Sequence, residues 1–187
     1  MASTRTGQRH LLTTRFTPGR VREALVPPGT WRPYPTVDDR DAWAALPGEE
    51  RARLVAAAEA RLGMAWPALP ATLFLEYVRD GNRVNYEEPH FARRTALIEL
   101  ILGECVEGRG RFTDDIINGI WALCEESFWG VPAHSGTPRF GDRIWPTNYG
   151  SAGLPDTAYP MIDLFAAETG ALLAWAHYLL GARLAAD

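Results

Sequence analysis

Cysteine is scarce in this sequence, and long hydrophobic runs are missing from it. Its 187 residues include two cysteines, Cys105 and Cys124, which fall on apolar stripes of predicted helices and are expected to be buried free thiols. No run reaches the roughly 20 apolar residues that a transmembrane helix requires. The polar, basic N-terminus has no apolar core of signal-peptide length, so we expect a cytoplasmic protein without a membrane partner.

An excess of positive charge is lacking as well. The 19 Lys and Arg residues stand against 23 Asp and Glu residues, which gives a net charge of -4. Nucleic-acid binding usually requires a basic face, so no nucleic-acid partner is expected, although a local Arg cluster could still bind a polyanion. No His or Cys spacing matches a metal motif, and the sequence predicts neither a metal nor a cofactor.

No segment alternates between apolar and polar residues as a β-strand would. Helical periodicity recurs instead from residue 36 onward, which predicts an all-α fold of antiparallel helical hairpins. The first helix is expected after residues 37–39. Five more are predicted at residues 49–62, 71–79, 86–106, 113–127 and 160–181, with Thr113 as the N-cap of the fifth and Pro160 at the start of the sixth.

Two segments fall outside this helical pattern. Residues 1–35 are rich in Arg, Thr, Pro and Gly and are predicted to form an irregular N-terminal arm. Residues 128–159 show no clear periodicity and are predicted to form a long loop that contains Trp145, Tyr149 and Tyr159. A loop of this length is usually functional or disordered, and its aromatic content argues against disorder.

The segment from residue 118 to residue 134 combines two carboxylates, two indoles, an amide and a histidine. On a helical wheel, Asn118, Trp121 and Glu125 share one face. An indole can stack on the flat side of a pyranose, while amides and carboxylates bind its hydroxyls. These three residues and Trp129 are therefore candidates for sugar binding. The alternative is that Trp121 belongs to the core and that the polar groups are merely solvated.

The adjacent carboxylates Glu125 and Glu126 diverge by about 100° on a helix, so they cannot serve one substrate atom as an acid and a base. Glu126 is expected to brace the following loop or the helix end. Glu126 and His134 are the candidates for catalysis, although a lone loop histidine is more often a surface or structural residue. Arg93 and Arg94 are expected to form salt pairs with Glu87 or Glu88, or alternatively to bind an anionic ligand.

Three pieces of the sequence resemble the heparinase II/III-like family. They are residues 69–83 (LPATLFLEYVRDGNR), 104–134 (ECVEGRGRFTDDIINGIWALCEESFWGVPAH) and 163–169 (DLFAAET). The resemblance covers most of residues 66–181. It implies that residues 36–187 form the first part of an (α/α) toroid, which β-sandwich domains follow in this family. Characterised members are polysaccharide lyases that cleave uronic-acid polymers by β-elimination.

The resemblance also implies a ligand, an acidic polysaccharide or oligosaccharide. One wall of its cleft would be formed by Asn118, Trp121, Glu125, Glu126, Trp129 and His134. The family's Asn-rich helix and catalytic Tyr region come later in the toroid than residue 187. We therefore expect an incomplete toroid with little lyase activity alone and with exposed helix faces that favour self-association. A non-catalytic carbohydrate-binding or assembly module is the alternative. A glycoside hydrolase ranks last, because the candidate carboxylates lie on one helix.

Overall fold

The computed structural model describes residues 14–27, 29–134, 153–155 and 162–184, and all regular structure in these ranges is helical. The chain divides into two compact units, Met1–Tyr34 and Pro35–Asp187. The first unit contains helix α1, Pro18–Ala24, whose N-cap Thr17 accepts a hydrogen bond from the backbone N–H of Arg20. The arm that was predicted to be irregular therefore contains a short helix, because Thr17 and Pro18 form a favourable helix start.

The second unit confirms the all-α prediction over its described residues. Its helices are α2 (Arg40–Ala44), α3 (Gly48–Glu59), α4 (Ala71–Asp80), α5 (Val84–Glu107), α6 (Thr113–Cys124) and α7 (Leu164–Leu184), with a 3-10 turn at Pro132–His134. No described helix is long and apolar enough to cross a membrane. The toroid arrangement stays a prediction.

Two predicted helix starts differ from the observed ones. Thr113 is the first helical residue of α6, and Phe112 occupies the cap position instead. Helix α7 begins at Leu164, where the Asp163 carboxylate accepts a hydrogen bond from the backbone N–H of Phe165 at 3.1 Å. Pro160 lies outside the described residues. An acidic side chain therefore caps α7, where the sequence analysis expected a proline in the first turn.

Helix α5 is the centre of the second unit and packs against α2, α3, α4, α6 and α7. It starts at Val84 and continues through Pro89, which cannot donate the backbone hydrogen bond of an interior helix position. Gly103 of α5 lies directly against Ala58 of α3, where an added Cβ would collide with the alanine methyl. The two helices can approach closely because neither residue carries a bulky side chain.

The helix directions follow from pairs of side chains in contact. Helices α5 and α6 form an antiparallel hairpin, since Glu104 accepts a hydrogen bond from Phe112 at one end while Arg93 donates to the carbonyl of Ala122 at the other. Helix α7 runs parallel to α5, because Arg94 bonds to Thr169 and Glu104 bonds to Arg183. The predicted antiparallel hairpin is therefore present at α5–α6, with α7 laid alongside in parallel.

The core consists of the inner sides of these helices, including Leu97, Leu100, Ile116, Leu123 and Leu180. Cys105 is buried as predicted, and burial raises the pKa of its thiol to about 12. Cys124 is exposed, so the prediction that it would be buried was wrong.

The exposure of Cys124 follows from the position of the buried face of α6. That face is centred on Gly119, which has no side chain and so leaves room for the indole of Trp66 against the helix. Cys124 follows Gly119 by five residues, or about 140° on the helical wheel, and so turns away from this face toward solvent.

Candidate functional site

Glu126 follows α6 and turns its carboxylate into the interior, where the side chain is only 1% exposed. It accepts three hydrogen bonds from two arginines of α5. Arg94 binds both carboxylate oxygens, at 3.2 and 2.8 Å, and Arg93 donates to one of them at 3.2 Å. Charge-assisted hydrogen bonds from two arginines make this carboxylate an anchor between α5 and the chain after α6.

Both arginines also donate to acceptors other than Glu126. Arg93 donates to the backbone carbonyls of Pro67 and Ala122, at 2.7 and 2.9 Å. Arg94 donates to the carbonyl of His90 and, through Nε at 2.9 Å, to the hydroxyl of Thr169 on α7. The salt pairing predicted for these arginines is present, but the shared partner is Glu126, and the expectation of Glu87 or Glu88 was wrong.

His90 of α5 lies beside this cluster and is fully buried. Its Nδ1 is 3.8 Å from a Glu126 oxygen, and neither ring nitrogen has a hydrogen-bond partner among the described residues. Burial, with Arg94 and Arg93 nearby, lowers the pKa of His90 to about 3, so the ring is neutral. Burial and the Glu126 charge raise the pKa of the neighbouring Tyr86 to about 12, so its phenol keeps its proton.

His134, at the end of the 3-10 turn, forms a pair with Asp163 at the start of α7. Its Nδ1 lies 2.8 Å from Asp163 Oδ1, and the ring stacks on Phe165 with 5.2 Å between centroids and 17° between planes. The His134 side chain is 31% exposed, whereas that of Asp163 is 13% exposed. A carboxylate on Nδ1 favours the tautomer that is protonated there, which places the lone pair on Nε2, as in many general bases.

Local sequence explains how the turn comes so close to α7. Gly130 precedes the turn, and a Cβ on it would lie 2.5 Å from the ring of Phe128 and 3.2 Å from an Asp163 oxygen. Val131 and Pro132 are buried, and the backbone N–H of His134 donates to the Val131 carbonyl at 3.0 Å. The turn is therefore held by packing and hydrogen bonding immediately next to the histidine.

The predicted sugar-binding residues lie elsewhere on the surface of α6. Asn118, Trp121 and Glu125 all point to solvent on one face of the helix, and the Trp121 side chain is 66% exposed. Trp129 is half-buried, and its indole N–H donates to the carbonyl of Leu123 at 2.7 Å, which satisfies an end of α6. The predicted site residues therefore fall into two groups. Asn118, Trp121 and Glu125 lie on the exposed face of α6, whereas His134 pairs with Asp163 and Glu126 is buried.

Three residues of this arrangement were not predicted from the sequence: His90, Asp163 and Thr169. Tyr86, His90 and Arg94 recur every fourth residue and so share one face of α5, a spacing that could have grouped them. Asp163 and Thr169 begin and end one of the three pieces that carry the resemblance, but His134 and Arg94 lie far from them in sequence, and no local pattern pairs them.

Across the described residues, no group of three or more His, Cys, Asp or Glu side chains is arranged to hold a metal ion. Residues 135–152 and 156–159 of the predicted aromatic loop, with Trp145, Tyr149 and Tyr159, lie outside the described residues. No protein-family model matches the sequence, and no curated protein matches it either.

Proposed function

We propose that this chain forms one wall of the substrate cleft of a heparinase II/III-like polysaccharide lyase and binds an acidic polysaccharide beside His134. The observation that carries the proposal is the His134–Asp163 pair, in which a partly exposed imidazole is bound at Nδ1 by a carboxylate 2.8 Å away. The uronic-acid class of the sugar comes from the resemblance of residues 104–134 to that family.

The chemistry that the pair fits is proton transfer during β-elimination. A base removes the proton at C5 of the uronate, the electrons of that C–H bond form a double bond between C4 and C5, and the oxygen at C4 leaves and takes up a proton. His134 is the base in this proposal, since a ring protonated at Nδ1 can accept a proton at Nε2. Asp163 would stabilise the imidazolium that forms.

The surroundings support this assignment over the other predicted catalytic residue. Glu126 is held by Arg93 and Arg94 and is 1% exposed, so a polymer cannot reach it without breaking a buried ion cluster. His134 has a fixed partner, a stacked ring beneath it and part of its surface open. Within this proposal, Glu126 supports the site and His134 meets the sugar.

A non-catalytic carbohydrate-binding module is the second candidate, and a different observation favours it. The Trp121 indole is 66% exposed, with Asn118 and Glu125 on the same exposed helix face. Sugar-binding surfaces combine an open aromatic ring with flanking amides and carboxylates in this way. In this reading the ligand lies along α6 and does not involve His134.

Calorimetry with two variants separates the two candidates. A uronic-acid oligosaccharide is titrated into the wild-type chain, His134→Gln and Trp121→Ala, with a neutral oligosaccharide of equal length as the ligand control. The proposal expects heat with the acidic sugar only and at least about tenfold weaker binding by His134→Gln, the effect of losing roughly 1.4 kcal/mol. Trp121→Ala is expected to bind as the wild type does.

The opposite pattern, with binding lost in Trp121→Ala and retained in His134→Gln, would favour the binding module. Absence of heat with either sugar would contradict both candidates. Ultraviolet absorbance of the unsaturated product, followed in the same samples, reports whether elimination accompanies binding. Elimination that persists undiminished in His134→Gln would exclude this residue as the base.

A further inference from the structure

The geometry points to Thr169 as a positioning residue. It links the buried Glu126–Arg94 ion pair to the His134–Asp163 pair through hydrogen bonds. This inference rests on the proposed function only for its consequence in catalysis. The contact chain runs from Glu126 through Arg94 and Thr169 to Phe165, and each of its steps is a hydrogen bond in the structure.

The Thr169 hydroxyl is oriented by its partners on both sides. Arg94 Nε has only a hydrogen to offer, so the Thr169 oxygen must accept that bond, which measures 2.9 Å. The hydroxyl hydrogen is then directed at the carbonyl of Phe165, which accepts it at 2.8 Å. Thr169 is only 1% exposed, so water does not compete for either bond.

Phe165 is where this chain of bonds meets the histidine. Its ring stacks on His134, and its backbone N–H donates to the second oxygen of Asp163 at 3.1 Å. The first oxygen of Asp163 holds His134 Nδ1. Phe165 therefore both stacks on His134 and binds the Asp163 carboxylate that sets the His134 tautomer. Thr169, one turn further along α7, donates a hydrogen bond to the Phe165 carbonyl.

The rest of α7 is fixed independently of Thr169. Near its C-terminus, Arg183 binds the buried Glu104 at 3.2 Å, and the carbonyl of Leu179 accepts a hydrogen bond from Val37 at 2.9 Å. Loss of the Thr169 hydroxyl is therefore expected to loosen the first turn of α7 while the helix stays in place. Such a local effect would identify Thr169 as a positioning residue, whereas a residue that stabilises the whole fold would affect all of α7.

The test measures the His134 tautomer in the absence of sugar. Nitrogen-15 chemical shifts of the imidazole ring are recorded for the full chain, and His134→Gln identifies the resonance. Thr169→Val removes the hydroxyl and keeps the side-chain shape, and the ratio of the Nδ1–H to the Nε2–H form is expected to fall about tenfold, the effect of losing one buried hydrogen bond. Thr169→Ser keeps the hydroxyl and is expected to restore the wild-type ratio.

Thr95→Val, at an exposed threonine of α5 next to Arg94, serves as the matched control and is expected to leave the ratio unchanged. A Thr169→Val chain that loses stability but keeps the wild-type tautomer would overturn the inference, as would failure of Thr169→Ser to restore it. A changed tautomer without sugar binding would leave the positioning role standing and refute the proposed function. Sugar binding through His134 with an unchanged tautomer would do the reverse.

Discussion

For single residues, the sequence predicts the helix face on which a side chain lies better than it predicts the partners of that side chain. Helical geometry alone separates the neighbours Glu125 and Glu126, and the structure places the first on the surface and buries the carboxylate of the second. The partners of Glu126 were not predictable in this way. Glu126 was expected to brace the following loop or the helix end, whereas its carboxylate binds Arg93 and Arg94, more than thirty residues earlier. Periodicity gives the face on which a side chain lies but not the distant element that this face meets.

His90 leads to a prediction about the pH dependence of stability. The pKa of His90 in the folded state is about 3, below its ordinary value of 6.5. Between these two pH values the unfolded chain binds a proton on His90 that the folded chain does not. Stability is therefore lost as the pH falls below 6.5, by about 1.4 kcal/mol per pH unit from this group and about 3 kcal/mol near pH 4.5. His90→Leu removes that contribution and leaves no unpartnered ring nitrogen in the core.

The measurement for His90 is urea unfolding of the wild type and His90→Leu across this pH range. The difference between their free energies of unfolding isolates His90 from the other titrating groups. At neutral pH the variant is expected to be at least as stable as the wild type. Parallel curves from neutral pH down to about pH 4.5 would show that the ring is not held neutral by burial.

Whole elements were easier to predict than their contacts. The apolar periodicity located five helices of the second unit within a few residues of their observed bounds, and the short links predicted antiparallel hairpins, of which α5–α6 is one. It did not indicate that α7 runs parallel to α5, because that direction is set by Arg94–Thr169 at one end and Glu104–Arg183 at the other. It also misjudged α6, where a glycine centres the buried face and leaves Cys124 outside.

Two helical glycines test the packing of these elements against each other. Gly103→Ala would place a methyl group against Ala58 where α3 meets α5, and we expect it to destabilise the chain by about 1–3 kcal/mol through overpacking. Gly170 lies in α7 with open space around its Cα, so Gly170→Ala is the matched control and is expected to stabilise by up to about 1 kcal/mol.

Urea unfolding gives both differences in free energy. A Gly103→Ala chain as stable as the wild type would mean that α3 and α5 have room between them. Destabilisation by Gly170→Ala would mean that α7 has a close neighbour at that position.

For the molecule as a whole, the absence of strand alternation was enough to predict an all-α fold, which the described residues confirm. The toroid, the sugar ligand and self-association stay predictions. The site itself was only partly predictable. His134 and Glu126 could be selected from their dense polar and aromatic segment, but Asp163 and Thr169 come from a helix that joins the site only in the folded chain.

Sugar binding at His134 can be observed directly by nuclear magnetic resonance of the ring nitrogens while a uronic-acid oligosaccharide is added. The full chain contains His177 as an internal reference, exposed on α7 and fourteen residues from Asp163 in sequence. Saturable shifts of the His134 ring, with His177 unmoved and no response to a neutral oligosaccharide, are the result expected if this surface meets an acidic sugar. Unchanged His134 resonances at saturating oligosaccharide would contradict it.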